Sequence, residues 1–140
     1  MKAIPPIKAV MTPFPYWIEI DAPVASAREM MTRQAIRHLP VMERGRLVSV
    51  LTEKDVARPQ QSSDSKWRLV RDVCEIEAYV VGLSEPLDRV LLHMAQNHVG
   101  SALVVKDGKL AGIFTVTDAC RSYGNLLRSL FPAGGDDEAA

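Results

Sequence analysis

Two Thr-x-x-Asp phrases close apolar runs in this chain, Thr52 with Asp55 and Thr115 with Asp118. A carboxylate in such a place can accept two hydroxyl donors from a vicinal diol. If the chain turns helical after the threonine, the helix N-terminus favours negative charge beside it. Hydroxyl, carboxylate and helix start together suit a ligand carrying both a diol and an anion. The same residues also have a purely structural reading, in which Thr is the N-cap and Asp the acidic third residue of a capping box.

The two phrases belong to a longer repetition. An offset of 63 (115 minus 52) holds without a gap from Ile7/Val70 to Arg58/Arg121. Ten of these 52 pairs are identical: Val10/Val73, Tyr16/Tyr79, Pro23/Pro86, Met31/Met94, Val41/Val104, Gly45/Gly108, Leu47/Leu110, Thr52/Thr115, Asp55/Asp118 and Arg58/Arg121. Ordinary amino-acid usage would give roughly three matches, so the repetition is a duplication. Residues 7–58 form a first repeat, 59–66 a linker, 67–130 a second repeat and 131–140 a disordered, apolar-poor tail.

Each repeat must supply the elements that hold its threonine and aspartate. Trp17-Ile18-Glu19-Ile20 and Ala78-Tyr79-Val80-Val81 read as short strands. Pro23 and Pro86 stand at helix starts, and Leu87, Val90, Leu91 and Met94 have the spacing of a helix with one buried face. Val24, Ala27 and Met31 repeat that stripe more weakly. Leu39-Pro40-Val41-Met42 and Ala102-Leu103-Val104-Val105 are strands, followed by turns at Gly45 and Gly108, where glycine supplies the positive φ of a tight hairpin. A further strand then ends at the threonine. The sequence predicts α/β (α+β) architecture, strand–helix–strand–strand–helix in each unit, with a right-handed parallel crossover and then an antiparallel hairpin.

Composition narrows the function classes. The chain has 140 residues, 47% of them apolar, and each repeat alone would be marginal, so the halves should share a core. Lysine and arginine number 17, as do aspartate and glutamate, which argues against nucleic-acid binding by general electrostatic attraction. Cys74 and Cys120 have neither metal-ligand nor disulfide-framework spacing. No apolar run has the ~20 residues that span a bilayer, and Met1 to Pro6 lacks a signal-peptide pattern. The default expectation is a soluble cytoplasmic protein with no membrane partner.

With two βαββα units and the doubled Thr-x-x-Asp, the chain resembles a tandem pair of cystathionine-β-synthase (CBS) domains. Ala9-Val10-Met11-Thr12-Pro13 resembles that family's lead-in, and Arg37-His38-Leu39-Pro40-Val41 its approach to the second strand. The resemblance implies two units packed about a pseudo-two-fold axis, with two clefts between them. It implies an adenosine-containing regulatory ligand in those clefts: AMP, ADP or ATP, or else NAD or S-adenosylmethionine. One cleft would use Ile113, Thr115, Thr117 and Asp118, with Thr12, Ile36 and Arg37 across the interface. Arg37 could grip a phosphate. The other would use Leu51, Thr52, Lys54 and Asp55, with Val99 and Gly100. This second cleft is the weaker candidate, because Ser49 replaces the glycine found at Gly112 and Glu75 stands where the first repeat has Thr12.

The remaining candidates have plainer readings. Arg33 and Arg37 are four apart on an expected helix and can be surface charges. His93 and His98, five apart, miss the spacing of a shared metal site, and His38 is separate, so no metal is expected. Trp17 reads as core at the repeat interface, and Cys120 as an inert residue among apolar neighbours. No Ser/His/Asp or Cys/His set emerges, so no catalytic activity or catalytic cofactor is expected. The leading function is a regulatory module that senses an adenine nucleotide and signals to an effector protein, with a homodimer as the implied assembly. The alternative is a structural or oligomerisation module whose clefts are degenerate and unoccupied.

Overall fold

A computed structural model describes residues 3–57, 68–74 and 77–133. The linker and most of the tail expected from the sequence lie outside the described residues, as does Glu75. A 3-10 turn, Ile7–Ala9, leads into β1 (Thr12–Pro13) and β2 (Ile18–Glu19). Then come α1 (Val24–Gln34), β3 (His38–Glu43), β4 (Arg46–Thr52) and α2 (Glu53–Ala57). The second half runs α3 (Val70–Val73), β5 (Val80–Gly82), α4 (Leu87–Asn97), β6 (Ser101–Lys106), β7 (Lys109–Thr115) and α5 (Val116–Leu130).

Both crossovers are parallel, β2 with β3 and β5 with β6, and both hairpins are antiparallel. The hairpin turns use positive φ at two residues each, Arg44 and Gly45 in one and Asp107 and Gly108 in the other, as tight right-twisting hairpins require. Pro23 and Pro86 occupy the N-cap positions rather than the first helical residue. α1 stops at Gln34 because Ala35 turns left-handed, so Arg37 lies beyond the helix and off the face that carries Arg33. Arg33 instead pairs with Glu29.

The sheets have orders β1-β7-β6-β5 and β2-β3-β4. The first of these joins a strand from the start of the chain to the second half. The 3-10 turn follows suit: Ile7 N donates to Glu85 O at 2.8 Å, Lys8 N to Leu83 O at 3.1 Å, and Leu87 N to Pro5 O at 2.9 Å. Ile7 is fully buried in the apolar cluster of the second half, with Val81, Val90, Met94 and Phe114. The equivalent segment of the second repeat does the reverse. Val70 and Val73 on α3 are buried against Val24, Ala27, Leu39 and Leu51 of the first half, and Val70 N donates to Ala22 O at 2.8 Å. Each lead-in therefore packs on the other repeat's core, and the two halves are interlocked.

A third cluster joins the sheets directly, with Val50, Leu103 and Ile113 buried and Leu47 and Leu110 packed on them. Val50/Ile113 and Leu47/Leu110 are pairs at the repeat offset, so equivalent residues meet where a pseudo-two-fold axis should pass.

Two expectations about single residues are corrected. Trp17 is 47% exposed, because β2 begins only at Ile18 and the tryptophan precedes the buried stretch. Cys120 is exposed on α5, because that helix fully buries only Asp118 and meets the core through the neighbouring Ala119.

Candidate functional site

The threonine and aspartate of each repeat form the same local structure. At the start of α5, Thr115 N donates to Asp118 Oδ2 at 2.9 Å and Asp118 N donates to Thr115 Oγ1 at 3.3 Å. This capping box satisfies two backbone donors that the helix would otherwise leave unpaired. Thr115 Oγ1 also donates to Asp118 Oδ2 at 3.2 Å. Thr52 and Asp55 repeat the reciprocal pair at 2.9 and 3.3 Å. The structural reading of Thr-x-x-Asp thus holds for both copies, and any ligand must use what the boxes leave available.

On the second repeat's side that remainder opens into a cleft of about 610 Å³, lined by Thr12, Ala35, Ile36, Arg37, His38, Ile113, Thr115, Val116, Thr117, Asp118 and Arg121. All seven residues assigned to this cleft from the sequence are in its wall. β1 brings Thr12 there by pairing antiparallel with β7, Thr12 opposite Ile113. The left-handed turn at Ala35 carries Ile36 and Arg37 across from α5. Ala35, His38, Val116 and Arg121 were not anticipated. Arg121 donates to Asp118 Oδ1 at 3.0 Å, one turn into α5. Two guanidinium groups and a helix N-terminus therefore surround one buried carboxylate, an arrangement that attracts anions.

The other cleft has only about 80 Å³, lined by His38, Val50, Thr52, Glu77, Tyr79, His98, Val99, Gly100 and Ser101. Small-molecule pockets run from about 300 Å³ upward, and 80 Å³ holds only a few waters. Of the residues assigned to this cleft, Thr52, Val99 and Gly100 line it. Leu51 is buried in the first core, and Lys54 is exposed outside the cleft. Asp55 is only 3% exposed and turns its carboxylate onto Thr52 N.

Of the two reasons expected for this asymmetry, Glu75 lies outside the described residues, and the exchange of Gly112 for Ser49 does not act at the cleft walls. Ser49 does not line the small cleft, nor Gly112 the large one. Gly112 instead admits Met11, whose Sδ lies 2.4 Å from where a Cβ would sit. Ser49 at the matching position has Cys74 as the counterpart of Met11, so the larger residue of one pair accompanies the smaller partner. What fills the small cleft is a set of rings. His98 occupies the place that Ala35 holds in the large cleft, both at left-handed φ of 54° and 55°. Tyr79, also in the wall, is held by stacking on His93 at 3.8 Å between ring centres.

His38, the first residue of β3, lines both clefts. Its ring sits against Gly100, where an added Cβ would stand 3.0 Å from Nε2. Burial, reinforced by the Arg37 guanidinium, holds His38 below its ordinary value of 6.5, against the weaker opposing pull of Asp55 and Glu53. The folded protein therefore binds the His38 proton less readily than the unfolded chain does. Stability should fall as pH drops from 6.5 toward the lowered folded value, then level off as both states carry the proton. His38→Gln should flatten this part of the profile, read as the difference between the two proteins in urea midpoint from pH 7.5 to 5. An unchanged difference across that range would contradict the assignment.

Comparison with known proteins decides the family. The CBS domain model matches twice, at residues 7–60 and 70–125. The chain belongs to the CBS-domain family. Two curated relatives align with its CBS pair. One is the uncharacterized protein MJ1225 of Methanocaldococcus jannaschii, 25% identical over 86% of this chain and 43% of its own length. Inosine-5'-monophosphate dehydrogenase of Thermoplasma acidophilum is 27% identical over 87% of this chain and 23% of its own. The chain thus spans less than half of either relative.

Solved structures share the fold of this CBS pair. A putative acetoin utilization protein (AcuB) from Vibrio cholerae superposes with a TM-score of 0.81 at 23% identity, over 90% of this chain and 95% of the other. The CBS domain pair of MJ0100, in complex with 5'-methylthioadenosine and S-adenosylmethionine, gives 0.77 at 22% identity, over 88% and 98%. CBSX2 in complex with AMP gives 0.76 at 23% identity, over 89% and 99%. Among the described residues, no helix is long and apolar enough to cross a membrane, and no three metal-ligating side chains gather.

Proposed function

We propose that this chain is a regulatory module that binds an adenosine-containing nucleotide in the large cleft and passes the state of that cleft to a partner protein. One observation carries the reading. Seven residues chosen from two repeats converge on one cleft of about 610 Å³ that combines a buried carboxylate, two arginines and a helix N-terminus. In this reading Asp118 receives the ribose hydroxyls, Thr115 and Thr117 lie beside ribose or phosphate, and Ile36 and Ile113 flank the adenine. Arg37 meets the phosphate. The adenosine ligands of the MJ0100 and CBSX2 structures support the ligand class. The small cleft stays empty of nucleotide, its volume taken by His98 and its neighbours.

Thermal unfolding with AMP, ADP, ATP, NAD and S-adenosylmethionine tests this. A ligand bound only by the folded state adds about 2.7 kcal/mol at a hundred-fold excess over Kd. Ala35→His should abolish the shift while leaving the unliganded midpoint close to wild type, because His98 shows that a left-handed histidine is tolerated at the equivalent place. Absence of a shift with every adenosine ligand would reject the sensor reading.

The assembly side of the proposal rests on α5. Val116, Cys120, Tyr123, Leu127 and Leu130 recur at intervals of four and three, and all five are exposed. That is the seam spacing of paired helices. Two copies meeting along α5 would bury it, and Val116 also lines the large cleft, which gives occupancy a direct route to the interface. Light scattering should report a dimer that Tyr123→Glu converts to monomer. A wild-type monomer at tens of micromolar would count against a homodimer.

A further inference from the structure

We infer that Arg121 is a specificity-determining residue that admits adenosine ligands only in exchange for an anion. The inference rests on the adenosine reading above. A carboxylate offers about four lone-pair positions. Three of those on Asp118 are engaged: Oδ2 accepts from Thr115 N and Thr115 Oγ1, and Oδ1 accepts from Arg121 NH1 at 3.0 Å. One position is left, whereas a vicinal diol brings two donors. Thr115 N cannot withdraw without unmaking the cap of α5. Thr115 Oγ1 is held in the same box by accepting from Asp118 N at 3.3 Å, and the partner freest to leave is Arg121, whose side chain is 63% exposed and whose pair with Asp118 lies at the cleft wall.

Displacement into water forfeits the pair. A ligand phosphate in the same cleft offers the released guanidinium a new partner, so diol and anion enter as one exchange. Arg37 differs. It forms no side-chain hydrogen bond or ion pair among the described residues, and it attracts an anion without guarding the diol position. The cleft thus favours phosphorylated adenosine ligands over bare nucleosides and over sulfonium-bearing ones.

Calorimetric titration of adenosine and AMP into wild type, Arg121→Gln and Arg37→Gln tests the exchange. Wild type should bind AMP at least ~10-fold more tightly than adenosine, the scale of one charge-assisted hydrogen bond. Arg121→Gln should move the two ligands in opposite directions, weakening AMP while tightening adenosine. Arg37→Gln should weaken AMP and leave adenosine where it was. Adenosine binding that is unchanged or weaker in Arg121→Gln overturns the exchange while leaving nucleotide binding intact. Failure of both ligands to bind wild type overturns the exchange, and the sensor reading falls with it only if ADP, ATP, NAD and S-adenosylmethionine also give no thermal shift. The pair lies on the surface within one helix turn, so Arg121→Gln should fold normally, which far-UV circular dichroism verifies.

Discussion

Asp118→Ala should eliminate the thermal shift produced by the preferred adenosine ligand, whereas Asp55→Ala should reduce it far less. Two hydroxyl donors to a carboxylate contribute about 1.5 kcal/mol or more each, so affinity should fall by at least ~100-fold. The variant remains testable because its structural loss is modest. Removing the carboxylate strands Thr115 N at the start of α5, a cost of about 1–2 kcal/mol against a usual stability of about 5–15 kcal/mol. Asp118→Asn separates the two losses, since the amide oxygen can still accept from Thr115 N while the charge is gone. Asp55 occupies the same place in its own capping box but does not line the cleft of about 80 Å³ on its side, and its loss should register chiefly in stability. Equal effects of the two alanine variants on ligand binding would place the nucleotide elsewhere.

The second large effect concerns folding. Ile7→Ala should lower the free energy of unfolding by about 2–5 kcal/mol, the range for truncating a fully buried isoleucine. Ile7 is 0% exposed, sealed in the core of the second half. Ile4→Ala, 55% exposed and three residues earlier, provides the contrast and should change stability by less than about 0.5 kcal/mol. Equilibrium urea denaturation at constant pH compares them, and similar midpoints would contradict the interlocked packing. Because Thr12 follows on β1, Ile7→Ala should also weaken ligand binding, although it touches no part of the cleft.

Much of this was legible in the sequence, and the omissions have physical reasons. The β-branched and aromatic runs and the helical stripes led to the strand–helix–strand–strand–helix order of each unit, though not to β1 or α3, and the paired glycines marked both hairpins. The doubled Thr-x-x-Asp led to the seven residues that do line one cleft. Nothing in a repeat offset says which copy a segment packs on, so the exchange of lead-ins was invisible. The contrast of Ala35 with His98 stands at the same offset as that of Ser49 with Gly112, yet neither Ala35 nor His98 belongs to a motif. Gly112 turns out to make room for Met11. Arg121 was visible only as the partner of Arg58 in the alignment. Its contact with Asp118 depends on their spacing of three along a helix, which the carboxylate's role as a ligand group had obscured. Trp17 was misplaced because an aromatic residue beside a two-residue strand need not share its buried face.

The crossing of the lead-ins also bears on how such a chain could arise. A solitary copy of this repeat would have a core lacking the segment that seals it, and a lead-in with no core of its own to enter. Its only complete form would be a pair of molecules, each lending that segment to the other. Duplication within one gene would then have joined two lenders already in partnership. After that joining the copies were free to diverge, and one could give up its cavity to a histidine while the other kept an alanine.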